Sequence, residues 1–391
     1  PVPALGKKGY IRIYNAADNT MVDEINMSER QVGIEDGKTL LNSWMDIVGV
    51  TPKAATVNRK RVVNYHPVRI EGNTVIIKPH SQRLKYNTRY YVTIDKTAID
   101  QADFTGIYAN KWMFTTKPEL ELSAQDTYTV KVSHTDVNAD FYSLQGAIDY
   151  LATHVDRSAP KVINMDNGIY KEIIYLRDQD NITVRGADRD KVNIQYDNRN
   201  ELNGGVNNGT DISQFAPLGT PVSSGNRSVI TIGGNADKIR FENLTIENTS
   251  GNRGQAEAIV IRNNGGSAAF VNCNFYGYQD TILSGGGYNW FYNCLITGAT
   301  DFIWGCGDVS LFEKCEIRAI KNGRAMQARV PAGNIGYVFL DSRFTVAEGI
   351  TGKSLLIYSY APDNITFLNT TFSDVVSNEY KEDGITLQPA V

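Results

Sequence analysis

Histidine is scarce in this 391-residue chain, with only His66, His80, His134 and His154 present. All four lie in the first 154 residues, so a Ser/His/Asp or Cys/His machine in the remainder would need histidine brought in from elsewhere. Cysteine is equally rare. Cys273, Cys294, Cys306 and Cys315 show no C-x-x-C spacing, which argues against a zinc site. No apolar run approaches the ~20 residues of a membrane-spanning helix. No leader is recognisable at Pro1, which fits a mature secreted chain or a trimmed one. A net charge of −4 gives no basic surface for nucleic acid or an anionic membrane. What is present is ordinary for a soluble globular protein: 41% hydrophobic and 21% charged residues. The length exceeds one ordinary core and predicts two domains.

Residues 1–118 read as an all-β domain. Tyr10-Ile11-Arg12-Ile13-Tyr14 and Thr74-Val75-Ile76-Ile77-Lys78 alternate as strands do, and turn residues separate such runs. Thr39–Met45 is the exception and reads as a short helix. Leu84–Ile94, followed by Trp112-Met113-Phe114-Thr115-Thr116-Lys117-Pro118, resembles the last strands of bacterial surface Ig-like domains. That resemblance implies a β-sandwich serving as spacer or docking module. Residues 119–391 form the second predicted domain. It opens on an amphipathic helix over Phe141–Leu151 with Asp140 as N-cap, a sensible end cap for a solenoid.

The rest of this domain is repetitive. Six segments begin with Phe and carry an apolar residue five places on, at Phe241, Phe270, Phe291, Phe312, Phe339 and Phe367. A β-rich unit of this period, with Gly and Asn turns, predicts a solenoid. Regularly spaced leucines are absent, which leaves a parallel β-helix rather than a leucine-rich repeat. Cys273, Cys294 and Cys315 hold one repeat position, shared with Leu244, Ser342 and Thr370. They should stack as small, partly buried side chains, and as free thiols rather than a disulfide, although neighbouring rungs are close enough for one bond.

The same coil length organises the polar residues. Asp280 follows Cys273 by the same interval as Asp301 follows Cys294, so both hold one position on consecutive coils. Their backbones should lie ~4.8 Å apart, the strand spacing. Two carboxylates so close resist ionising together, and the pair supplies one base or nucleophile beside one acid. Either Asp alone could cap a turn. Gln279 and Gln255 are close by, and a neutral amide stabilises an oxyanion without disturbing the pair. Tyr278, Trp304, Tyr288 and Trp290 offer rings for stacking on sugars or for packing between coils.

Five segments resemble the pectin methylesterases: Gly168-Ile169-Tyr170-Lys171-Glu172, Gln255–Arg262, Tyr278-Gln279-Asp280-Thr281-Ile282, Asp301-Phe302-Ile303-Trp304-Gly305 and Met326-Gln327-Ala328-Arg329. The resemblance implies a right-handed parallel β-helix that hydrolyses methyl esters of galacturonate in pectin. Asp301 would be the nucleophile, Asp280 the general acid and base, and Gln255 and Gln279 the oxyanion donors. Tyr278, Trp304 and Arg329 are expected to bind substrate, with Tyr358 or Tyr360 as a stacking surface in place of the family's Trp. The resemblance implies no metal or organic cofactor and methyl-esterified homogalacturonan as the partner, and from that polymer a secreted, periplasmic or cell-surface location; a monomer is expected.

One departure stands out. The family carries an Arg-Pro-Trp segment where this chain has Leu355–Pro362, without Arg or Trp. The cation usually supplied to the nucleophile must come from elsewhere, with Arg329 and Arg324 as candidates. Three other readings compete: a β-helical glycosidase, a calcium-dependent lyase, and a pectic carbohydrate-binding protein on an esterase scaffold. Reducing-end release without methanol, loss of activity on chelation, and binding without turnover would separate them in turn.

Overall fold

The computed structural model describes residues 2–28, 34–35, 38–39, 44–53, 55, 60–203, 227–305, 307–359, 364–382 and 385–387. Contacts group the chain into two compact units. One is built mainly from Pro1–Ile47 and Val62–Ser123, the other from Val48–Arg61, Ala124–Gln214 and Val222–Val391.

In the second unit each Phe-headed segment ends a β-strand, and the register sets Phe241 beside Phe270, then Phe291, Phe312, Phe339 and Phe367. These belong to one parallel sheet of nine strands running from Tyr128–Val132 to Ile365–Leu368. The strands that come after each of them stack in two further parallel columns, one starting at Gly168–Lys171 and one at Ile174–Arg177. The long strands Leu295–Gly305 and Glu316–Ala328 run through both columns and join them. Three stacked faces with parallel rungs make a parallel β-helix. Alternation puts the Phe rings inside, where successive rings stack 4.7–5.8 Å apart.

The cysteine column has a physical reason. The Cys273, Cys294 and Cys315 thiols donate to the carbonyls of Phe241, Phe270 and Phe291 on the preceding coil, at 3.6, 3.4 and 3.3 Å. The Ser342 and Thr370 hydroxyls do the same to Phe312 and Phe339. A small donor, whether S–H or O–H, meets the requirement. The three thiols are free and buried, and burial raises those of Cys273 and Cys294 well above the usual range. Cys306 lies outside the described residues.

The end-cap helix is Leu144–His154, three residues later than the sequence reading. Phe141 is still extended, bridged to Val132. Ser143 is the N-cap: its hydroxyl accepts from the Gly146 N–H, and the Glu172 carboxylate accepts from those of Leu144 and Gln145. These acceptors satisfy N–H groups that a helix start leaves open. Asp140 instead accepts from the Lys131 N–H.

The first unit contains an antiparallel sheet in the order Met113–Thr115, Arg89–Ile94, Tyr10–Asn15, Met21–Asn26. Ile11, Ile13, Ile25, Tyr90, Val92 and Ile94 alternate inward to form its core. The expected helix over Thr39–Met45 is not formed where the chain is described: Lys38–Thr39 and Trp44–Val48 are strands. No helix among the described residues is long and apolar enough to cross a membrane.

Candidate active site

Asp280 and Asp301 both adopt the left-handed backbone, with φ of 66° and 48°, a region Asp tolerates better than most residues. The Asp280 N–H donates to the Thr300 carbonyl at 3.1 Å, Gln279 bridges Thr300, and Ile282 pairs with Ile303. The two aspartates therefore stand level on consecutive coils. The coil before continues the column. The Ala256 N–H donates to Gln279 and the Ala258 N–H to Thr281, which sets Glu257 level with Asp280. Three carboxylates are thus stacked, and all are nearly inaccessible: Glu257 is 0% exposed, Asp280 3% and Asp301 5%. Strand Leu295–Gly305 bends sharply at this point, and a side chain at Gly298 would collide with Phe302.

An arginine flanks each end of the stack. Arg227, itself 3% exposed, donates through Nε and Nη2 to Glu257 at 2.8–2.9 Å, and through Nη2 to Asp280 Oδ2 at 3.0 Å. Arg324, paired through its strand with Thr300, donates through Nη2 to Asp301 Oδ2 at 3.3 Å. Its Nε lies 3.2 Å from Oδ1, but off the hydrogen-bonding direction. Oδ1 of Asp301 is therefore buried with no hydrogen bond among the described residues. Of the two candidates for the missing family cation, Arg324 makes this contact. Arg329 is exposed, donates to Gln327, and lies over the Trp304 ring at 5.4 Å.

Burial dominates the electrostatics. It pushes Asp280 up to about 8, helped by Glu257 and Asp301 and opposed by Arg227 and Arg329. Burial raises Glu257 as well, against the pull of Arg227. It also raises Asp301, opposed by Arg324 and Arg329. Burial and the neighbouring carboxylates favour the protonated form of Asp280, while Arg324 and Arg329 favour the ionised form of Asp301, whose Oδ1 accepts no hydrogen bond among the described residues. Two stacked carboxyls biased in opposite directions have the chemistry that an acid beside a nucleophile requires.

The other expected residues divide. The Gln255 side-chain oxygen accepts from Arg227 Nη1 at 2.5 Å and from Asn200 Nδ2 at 3.1 Å. Both partners are donors, so the amide oxygen must face them and Nε2 is directed away, where it meets no acceptor among the described residues. The Gln279 side chain makes no hydrogen bond among the described residues. Tyr278 and Trp304 are half-buried, and Arg227 also lies over the Trp304 ring, at 5.9 Å. The Trp304 indole N–H is buried without a partner among the described residues. Tyr358 falls in the strand Ser354–Ser359, level with Lys381, and Tyr360 lies outside the described residues. A cavity of about 300 Å³ lined by Arg189, Tyr276, Lys314 and Arg343 contains none of these groups.

Sequence reasoning missed Glu257, Arg227 and Asn200. Glu257 left a signal, since it is a lone charge in the run Ala256-Glu257-Ala258-Ile259-Val260 entering a strand. A charge so placed needs a buried partner.

Comparison with known proteins agrees with this architecture. Residues 38–116 match a bacterial Ig-like domain, and residues 129–335, more than half of the chain, match the pectinesterase family. Pectinesterase 31 of Arabidopsis thaliana is 30% identical over 157 residues, which is 40% of this chain and 45% of that protein. The match therefore spans less than half the length of that relative. The fold is shared with the pectin methylesterase of Aspergillus niger, at 20% identity and a TM-score of 0.54 over 68% of this chain and 84% of that one. It is shared too with a mutant pectin methylesterase in complex with a hexasaccharide, at 21% identity and a TM-score of 0.53 over 66% and 84%. With its stacked carboxylates on the coils of a parallel β-helix, the chain belongs to the pectinesterase family.

Proposed function

We propose that this chain hydrolyses methyl esters of galacturonate in methyl-esterified homogalacturonan and releases methanol. The observation that carries the reading is the level stacking of Asp280 and Asp301 in unlike surroundings: Asp280 is held against the Arg227–Glu257 ion pair, while Asp301 faces Arg324 and its Oδ1 accepts no hydrogen bond among the described residues.

Asp301 Oδ1 attacks the ester carbonyl carbon and its electrons move onto the carbonyl oxygen. The Gln255 and Gln279 amide N–H groups stabilise that oxyanion. Collapse expels the methoxy group, which takes the Asp280 proton and leaves as methanol. The remaining acyl group is joined to Asp301 as an anhydride. Asp280, now a carboxylate, removes a proton from water, which attacks the acyl carbon and frees galacturonate and the Asp301 carboxylate. Arg324 donates to Asp301 Oδ2 and lies beside Oδ1, which accepts no hydrogen bond among the described residues and is the attacking atom. Tyr278, Trp304, Tyr358 and Tyr360 supply stacking surfaces for the sugars, and Arg329 an exposed cation for a neighbouring uronate carboxylate.

A relative solved with a hexasaccharide supports a polysaccharide substrate. A polymer of that kind supports action outside the cytoplasm, whether secreted, periplasmic or at the cell surface. We take the domains as 1–118, a spacer or docking module, and 119–391, the catalytic β-helix. We also take the protein as a monomer.

The test is methanol release from highly methylated pectin, with D301A alongside. Release that vanishes in the variant supports the reading. A folded wild type that binds pectin without releasing methanol contradicts it and favours a binding role.

A further inference from the structure

Pairing of stacked aspartates does not require Glu257 or Arg227, yet both are buried against them. A guanidinium 3.0 Å from Asp280 is useful in one respect and harmful in another. It orients the carboxyl through Nη2, and through Nη1 it anchors the Gln255 amide oxygen. By itself it would also lower the carboxyl's pKa by about 1–3 units and strip the proton an acid must donate. The geometry supplies the remedy: Glu257 takes both Nε and Nη2 of the same guanidinium, with both residues out of water.

We infer that Glu257 is a charge-compensating positioning residue, which lets Arg227 hold Asp280 and Gln255 in place while Asp280 keeps its proton. The inference rests on the esterase reading for the role of that proton. The charged groups facing Asp280 are Glu257, Arg227, Asp301 and Arg329; Arg262 also faces Glu257, and Arg324 faces Asp301. Of these, Glu257 and Arg227 form the buried ion pair that touches Asp280 directly.

The decisive measurement does not depend on turnover. The full chain is labelled with ¹³C at aspartate carboxyls, Asp280 is assigned with D280N, and its midpoint is followed by NMR titration. The wild-type midpoint is expected near 8. In E257Q the uncompensated guanidinium should pull it down by about 1–3 units. In the double variant R227Q/E257Q, which removes both charges, it should return towards the wild-type value, a rescue that mere structural damage would not produce. An unmoved midpoint in E257Q, or a double variant that stays with the single one, overturns the inference. If E257Q does not fold, the double variant decides: a high midpoint supports compensation and a lowered one refutes it. Methanol release by the wild type is assayed separately. Its absence alongside the expected shifts sinks the esterase reading and leaves the compensation standing.

Discussion

Two left-handed columns run along the same coils of this β-helix. One comprises Asn243, Asn272 and Asn293, the other Asp280 and Asp301, all with φ between 48° and 66°. The backbone is bonded identically in both. Each of Asn243, Asn272 and Asn293 donates its N–H to the residue just before its counterpart on the next coil, as Asp280 does to Thr300. The side chains differ. The asparagine amides donate to one another along the column, Asn272 to Asn243 at 2.8 Å and Asn293 to Asn272 at 3.2 Å, and remain reachable by solvent. No hydrogen bond joins the two aspartates among the described residues, and both are almost wholly buried. The turn geometry therefore does not mark the site. What marks it is a stack that would be costly if both members were charged, held where water cannot relieve it.

Substitutions should separate the two columns by their effects. Removing the proposed nucleophile with D301A should cost methanol release ~10⁴-fold or more, by analogy with the loss of other covalent nucleophiles. N293A should change kcat less than twofold in the same assay. The apolar interior common to both columns should dominate folding. F291A removes a ring stacked between Phe270 and Phe312 and should destabilise by about 3–5 kcal/mol in urea unfolding.

Asp280 should reveal its burial through pH. Its folded-state pKa lies above its unfolded value, so folding takes up a proton between about pH 4 and pH 8, and stability falls as pH rises through that window. D280N lacks this loss. It should raise the melting temperature at pH 8 and have little effect at pH 4; an equal effect at both would contradict the raised pKa. The smallest effect belongs to N272D/N293D, which places a like pair in the solvated column. It should cost only about 0.2–1 kcal/mol and leave both groups ionised at pH 7 by ¹³C NMR.

The difference between the columns also explains what the sequence could reveal. The Phe and Cys spacing disclosed the coil length, and a constant coil length is what brings Asp280 beside Asp301. Where the interval between coils changes, spacing arguments fail. Arg227 reaches Gln255 and Asp280 from a coil with a different interval, and Asn200 comes from farther back still, so neither could be placed by counting. Glu257 is within reach of such counting, because it sits two residues after Gln255 and level with Asp280. The helix start was misplaced for a local reason: Ser143 and Asp140 are both good caps, and the bond from Lys131 claims Asp140. Arg324 was one of two candidates, and only its strand pairing with Thr300 separates it from Arg329.

The central claim is that a protonated Asp280 works beside an ionised Asp301. The pH dependence of kcat/KM for methanol release tests it most directly, since it reports the groups of the free enzyme. The account predicts a bell. The rising limb should lie above the usual aspartate range as Asp301 ionises, and the falling limb near pH 8 as Asp280 loses its proton. A rate that stays level well above pH 8 would show that no proton on Asp280 is needed, and would contradict it.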